Sequence, residues 1–215
     1  VSAMPTVYGE KMVMRLLNKE DYSSFNIDMV CFSEENKRKF INCIKKPSGI
    51  VLITGQTGSG KSTTLYAAIS EINNEERCIV TIEDPVEYRI AGIVQVQVHH
   101  EIGRTFPACL REVLRQDPDI ILIGEIRDKE TATTAMGASN TGHLIFSTLH
   151  TNDAVSAIVR LTEMGIEAFM VGSTINGIAS QRLVRRICKH CKTEYQLEIS
   201  SPFRKVLNCG DREVI

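Results

Sequence analysis

Short apolar runs and longer segments with apolar residues at every third or fourth position take turns along this chain. Residues 50–54, 78–82, 119–124 and 143–149 are compact runs of β-branched and aliphatic side chains, the pattern of strands buried on both faces. Between and around them the spacing predicts helices. Ser33 is placed to cap one over 34–46, with Phe40, Ile41 and Ile44 on one face; a second covers 61–73. A third covers 106–115, with Arg111 and Arg115 four apart on one face, closed by Gln116-Asp117-Pro118. Strand and helix in alternation predict an α/β domain with a wound, mostly parallel sheet flanked by helices. Two segments differ. Residues 5–17 alternate weakly, with Met12, Met14 and Leu16 on one side of a single expected strand. In 93–98, Val94, Val96 and Val98 alternate with Gln95 and Gln97, as in a hairpin or edge strand with one wet face.

Composition narrows the class. The 215 residues are 43% hydrophobic and 24% charged, enough for one globular domain and part of a neighbour. Lys plus Arg number 25 against 26 Asp plus Glu, a net charge of −1, so no overall field draws the chain to nucleic acid or anionic lipid. No apolar run reaches the roughly 18 residues of a membrane span. The seven cysteines are scattered and odd in number, which suits reduced thiols in a cytosolic compartment. The start at Val1 and the stop at Ile215 within a charged stretch lead us to expect a piece of a longer protein.

One motif carries specific chemistry. Gly55-Gln56-Thr57-Gly58-Ser59-Gly60-Lys61-Ser62 satisfies G-x-x-x-x-G-K-[ST], and it lies between an apolar strand and a predicted helix. Glycines let backbone N–H groups turn inward around a polyphosphate, and the following helix presents its positive end to it. Gly55 through Ser62, with Thr63, are therefore candidate ATP/ADP-binding residues. Lys61 is the candidate ligand of the β- and γ-phosphates, and Ser62 the candidate ligand of Mg²⁺.

Hydrolysis needs an acid as well as a cradle. Glu125 follows the apolar strand 119–124 at the end where open α/β sheets place ligands, so it is a candidate Walker-B-type Mg²⁺ ligand, directly or through water. A surface acid beyond a core strand is the other reading. Glu83 and Asp84 follow a second strand, with Pro85 stiffening the turn. His143 and His150 bracket the strand 143–149; each is either a phosphate sensor or a structural hydrogen-bonding residue. Asp153 is fully accounted for as a helix cap.

Together these stretches resemble the secretion and pilus-assembly ATPases of the GspE/PilB/PilT type. The likeness rests on the phosphate loop, on Thr81-Ile82-Glu83-Asp84-Pro85-Val86-Glu87-Tyr88, on Leu110 to Asp119 running into Gly124-Glu125-Ile126-Arg127-Asp128, on residues 141–152, and on Gln181-Arg182-Leu183-Val184-Arg185. It implies a RecA-like P-loop ATPase core over 32–187 working as a ring of six subunits. The expected partners are a membrane platform and cytosolic adaptor proteins, with the ATPase cytoplasmic and peripheral at the inner face of the membrane. Residues 1–31 then belong to the end of a preceding domain plus linker. The resemblance further implies an Asp-box role for Glu83, a Walker-B role for Glu125, one of them polarising water, a His-box role for His143 and His150, and a phosphate-directed role for Arg15. Gly137, Asn140, Cys109 and Asn176 depart from the family pattern, away from these residues.

Cys188-Lys189-His190-Cys191 resembles the first half of the tetracysteine zinc motif of secretion and pilus-extension members, opening a truncated segment 188–215. Two thiolates supply half a tetrahedron, so an incomplete zinc site is expected in this chain. The pair favours extension or secretion over pilus retraction. From other classes, a nucleic-acid translocase is disfavoured by the balanced charge, and a non-hydrolysing nucleotide scaffold by Lys61, Ser62, Glu83 and Glu125 together.

Overall fold

The structure, a computed structural model, describes residues 1–14, 25–30, 32–185, 187, 188 and 190–193. Contacts divide the chain into two units, Val1–Leu183 and Val184–Ile215. The described helices and strands lie in the first.

Where the pattern predicts one strand over 5–17, the described residues form a hairpin of β1 (Ser2–Thr6) and antiparallel β2 (Gly9–Val13). The Thr6 hydroxyl donates to Gly9 O at 2.6 Å and accepts from the Tyr8 N–H at 3.3 Å. Gly9 takes a φ of +113°, so a side-chain-to-backbone turn closes at Val7 and Tyr8. Apolar alternation carries no sign of such a turn.

Six strands make the main sheet: β3 (Gly49–Thr54), β4 (Ile79–Glu83), β5 (Val94–Gln97), β6 (Ile120–Ile123), β7 (Leu144–Leu149) and β8 (Ile175–Ser180), in the order β5-β4-β6-β7-β3-β8. Each neighbouring pair is parallel. The helices are α1 (Glu34–Ile44), α2 (Lys61–Ile72), α3 (Phe106–Val113), α4 (Lys129–Asn140), α5 (Ala154–Glu163) and α6 (Ala168–Thr174). Successive strand residues serve opposite faces. In β3, Ile50 and Leu52 join a cluster with Leu110 of α3, Ala135 of α4 and Leu161 of α5. Val51 and Ile53 join another with Ile44 of α1 and Leu65 and Ile69 of α2. Both faces being covered, the strands read as unbroken aliphatic runs, and each buried Ile or Leu contributes about 2 kcal/mol.

The alternating segment 93–98 supplies the edge strand β5, parallel to β4, and not a hairpin. Helix α3 stops at Val113, before Arg115. The N–H groups of Arg115 and Gln116 close a tighter turn on Glu112 O and Val113 O, and Asp117 takes a φ of +51° ahead of Pro118. The left-handed Asp117 and Pro118, which has no N–H to give, keep the chain from resuming the helix. Arg111 and Arg115 therefore do not share a helix face, and Arg111 pairs instead with Glu130 of α4.

Four helices open with a side-chain cap. Ser33, Thr105, Asp128 and Asp153 accept the N–H three residues on, at 2.7 to 3.4 Å, in α1, α3, α4 and α5. Helix α2 is capped by Gly60 at a φ of +87°, with no side-chain bond. Its first-turn N–H groups are left for another acceptor.

Candidate functional site

Because β3, β4, β6 and β7 run the same way, their C-terminal ends share one edge of the sheet. Gly55 leaves β3, Glu83 ends β4, Gly124 and Glu125 follow β6, and His150 follows β7. A cleft of about 590 Å³ opens there, lined by residues 57, 58 and 60–63, by Glu83, Glu125, Thr148 and His150, and by the apolar Pro85, Tyr88 and Phe106.

The loop from Gly55 to Gly60 has a shape only glycine permits at its ends. Gly55 takes a φ of +145°, and a Cβ there would lie 2.6 Å from Ser59 Oγ and closer still to Gln181 O. Gly60 supplies the left-handed cap that turns the chain into α2. Lys61 Nζ donates to Gly55 O at 3.0 Å and to Gln56 O at 3.1 Å, so the ammonium is held over the loop. Partial burial lowers its pKa from the ordinary lysine value, and the charge of Glu125 opposes that shift. The open helix end, the inward loop and a positioned lysine together make an anion cradle.

Glu125 stands across the cleft with its side chain 12% exposed. Arg127 Nε is 2.5 Å and His150 Nε2 3.4 Å from Oε2. Neither is aligned as a hydrogen-bond donor, and Oε2 is a buried oxygen with no aligned partner. Thr54 Oγ1 and Ser59 Oγ share that condition, so the unsatisfied buried side-chain oxygens among the described residues gather at this one edge. Side chains of β7 hold the Glu125 turn: Ser147 Oγ donates to Ile123 O at 2.7 Å and Thr148 Oγ1 to Gly124 O at 2.8 Å. Gly124 occupies a place where a Cβ would meet Ile82 O at 3.3 Å and Glu83 Cα at 3.5 Å, so a side chain there would press on the end of β4.

Glu83 is 5% exposed and fully engaged. Oε1 accepts from Thr81 Oγ1 at 2.5 Å and from Gln95 Nε2 at 3.2 Å, and Oε2 accepts from the Tyr66 hydroxyl. Burial first, and the Glu83 charge second, push the Tyr66 pKa far above its ordinary value, so the phenol stays a donor. Gln95 also accepts from Ile90 N and donates to Tyr88 O, while Gln97 accepts from Val86 N. The glutamines expected on a wet face of β5 instead stitch the loop 84–90 to the sheet. Tyr66, Thr81 and Gln95 are thus site-supporting residues that the sequence pattern missed; alternation marked Gln95 as distinctive but assigned it to solvent.

His143 is not brought into the cleft. It precedes β7, at the opposite edge of the sheet, separated by the strand's length of roughly 20 Å. Its Nδ1 lies 3.0 Å from Ala138 O, where it ties the end of α4 to the strand. The two histidines of the expected pair therefore occupy opposite ends of one strand. Arg15 lies outside the described residues. In the second unit Cys188 and Cys191 are free thiols, and backbone N–H groups of His190 and Cys191 hold the Cys188 pKa below its ordinary value. Among the described residues no group of three or more His, Cys, Asp and Glu could hold a metal ion. Cys209 lies outside them, so the described residues alone do not fit a zinc ion.

Parallel strands feeding a glycine loop, an open helix end and a facing carboxylate define an α/β P-loop protein of the RecA-like class. The chain belongs to the Type II/IV secretion system protein family, whose model matches residues 1–211. It is 51% identical over 198 residues to the Type II secretion system ATPase E of Vibrio cholerae, covering 92% of this chain and 39% of that protein. It is 53% identical over 194 residues to the Type II secretion system protein HxcR of Pseudomonas aeruginosa, covering 90% and 41%. The chain thus spans about two fifths of the length of these curated relatives. Among solved structures, the pilus retraction motor PilT with bound ADP superposes with a TM-score of 0.68 at 32% identity, covering 85% of this chain and 54% of that one. The Legionella pneumophila ATPase DotB superposes with a TM-score of 0.59 at 31% identity, covering 70% and 44%. The VirB11 ATPase of Brucella suis, at 23% identity and a TM-score of 0.55, shares the fold.

Proposed function

We propose that this chain is the nucleotide-hydrolysing core of a type II secretion or pilus-extension motor, a Mg²⁺-dependent ATPase. The observation that carries the reading is the buried Glu125 carboxylate, held by the charges of Arg127 and His150 with no aligned hydrogen bond on Oε2, facing a P-loop whose helix end is uncapped. An ATP polyphosphate suits the cradle: the N–H groups of 57–62 and the Lys61 ammonium are its natural partners. Ser62 Oγ and Glu125, the latter directly or through water, are suited to hold Mg²⁺, which when bound would neutralise phosphate charge.

The two glutamates suit different work. Glu125, whose carboxylate lines the cleft and is held by ion pairs without an aligned hydrogen bond on Oε2, is the group suited to take a proton from an attacking water. Glu83, with its oxygens held by Tyr66, Thr81 and Gln95, is a fixed negative charge that orients water or the metal's hydration shell. His150 and Arg127, beside Glu125, are placed to follow the charge lost when the γ-phosphate leaves.

Identity near 50% with type II secretion proteins, against 32% with the retraction motor, supports secretion or extension. On that reading the full-length protein is a cytoplasmic homohexamer docked on a membrane platform and an adaptor, and residues 1–31 close a preceding domain. No described helix is long and apolar enough to cross a membrane. Zinc then requires ligands beyond Cys188 and Cys191. The test is the Mg²⁺-ATPase rate of the full-length protein across a wide protein concentration range. Specific activity rising with assembly is expected of a ring with shared sites; no hydrolysis at any concentration would refute the reading.

A further inference from the structure

We infer that Gln181 is a positioning residue for the phosphate cradle, a reading that rests on the nucleotide site proposed above. Gln181 follows β8 and does not line the cleft; it stands behind the loop. Its backbone N–H donates to Thr54 O at 3.0 Å, anchoring it to the end of the strand that feeds the loop. From there Nε2 donates to Ser59 O at 2.8 Å, and Oε1 accepts from Thr64 Oγ1 at 2.8 Å. One side chain thus joins the loop's second half to the first turn of α2.

The consequence follows from peptide geometry. In a trans peptide the C=O and the following N–H point in opposite directions. Holding Ser59 O outward against Gln181 turns the Gly60 N–H the other way, toward the cleft that Gly60 lines. Gly60, at a φ of +87° and without a side chain, adds no side-chain bond of its own to that plane. Gln181 therefore presets a phosphate-directed N–H before any nucleotide arrives, and the cost of ordering the loop is met in folding instead of in binding.

The two ends of the amide can be separated. Gln181→Glu keeps the acceptor for Thr64 but replaces the donor to Ser59 O with a carboxylate oxygen. Thr64→Val removes the hydroxyl's bond to Gln181 Oε1 and its longer contact with Gly60 O at 3.3 Å, and leaves the Ser59 bond in place. The experiment titrates the full-length protein and each variant with ADP and with AMP, and records the melting temperature of each. Loss of one hydrogen bond of this kind changes an affinity about three- to tenfold. Gln181→Glu should weaken ADP by at least that factor while AMP, lacking the β-phosphate, moves less than twofold; Thr64→Val should weaken ADP less. Unchanged ADP affinity in Gln181→Glu, or equal loss for ADP and AMP, would overturn the inference. If Gln181→Glu fails to fold, Gln181→Met, which removes the same donor to Ser59 O without adding a charge, takes its place, and an unchanged ADP affinity there overturns the inference. Failure of the unaltered protein to bind ADP would overturn the nucleotide reading itself, and is distinguishable because it requires no variant.

Discussion

The Tyr66 hydroxyl donates to Glu83 Oε2 across the boundary between α2 and β4. The helix that begins with the phosphate loop therefore also holds one of the two acids of the cleft. A displacement of α2 is felt at Glu83 without passing through bound nucleotide.

Tyr66→Phe removes that donor and leaves Thr81 and Gln95 on the carboxylate. Equilibrium denaturation should show a loss of about 1.5–3 kcal/mol, the range for a hydrogen bond to a charged group. The folded-state pKa of Tyr66 lies above its ordinary 10.0, so its stabilising contribution is complete below that pH and is lost as the phenol ionises at higher pH. The unaltered protein should thus lose stability more steeply than Tyr66→Phe above pH 10.0; parallel curves would remove Tyr66 from this role.

Glu125→Gln and Glu83→Gln should differ in kind. In Glu125→Gln the side-chain shape is kept and the proton acceptor is lost, so ADP should still bind while turnover falls by at least about 100-fold. Glu83→Gln also disturbs the bonds to Tyr66, Thr81 and Gln95, so it should lower both turnover and melting temperature. Full turnover in Glu125→Gln would exclude it as the acceptor.

His150→Ala should reduce turnover by roughly 10-fold or more, because it removes the imidazole beside Glu125. His143→Ala should leave turnover within about twofold and cost about 1 kcal/mol of stability through the lost bond to Ala138 O. Steady-state kinetics on the two variants checks the division; equal loss of turnover would show that the opposite edge of the sheet also enters the reaction.

Gly55→Ala combines an unfavourable φ with a Cβ pressed against Ser59 Oγ and Gln181 O. A destabilisation of about 2 kcal/mol, together with loss of ADP binding, is expected, measured by thermal melts with and without ADP. Normal binding would mean the loop has an alternative path.

Much of this was legible along the chain because its causes are local. Aliphatic runs set off by helical periodicity reflect strands covered on both faces, and four of the helix starts carry their cap residue in the sequence. The phosphate loop is contiguous, and its glycines answer to backbone angles that neighbours cannot alter. The hairpin at Val7 and Tyr8 was not legible, since a Thr6 hydroxyl bond and one glycine angle close it, with no break in the apolar alternation.

The sequence by itself determined the α/β architecture and singled out the glycine loop and the two acids as candidates, since each depends on residue type at short spacing. Only the tertiary structure decided how those residues divide. Parallel strands carry Glu83, Glu125 and His150 to one edge, while His143, at the other end of the strand that the sequence already places between the two histidines, stays at the opposite edge. Packing of β5 on β4 turned Gln95 from a solvated residue into a ligand of Glu83, and the end of β8 brought Gln181 behind a loop more than a hundred positions earlier in the chain. Such pairings depend on which strands become neighbours, and sheet order is set by the burial of the whole domain.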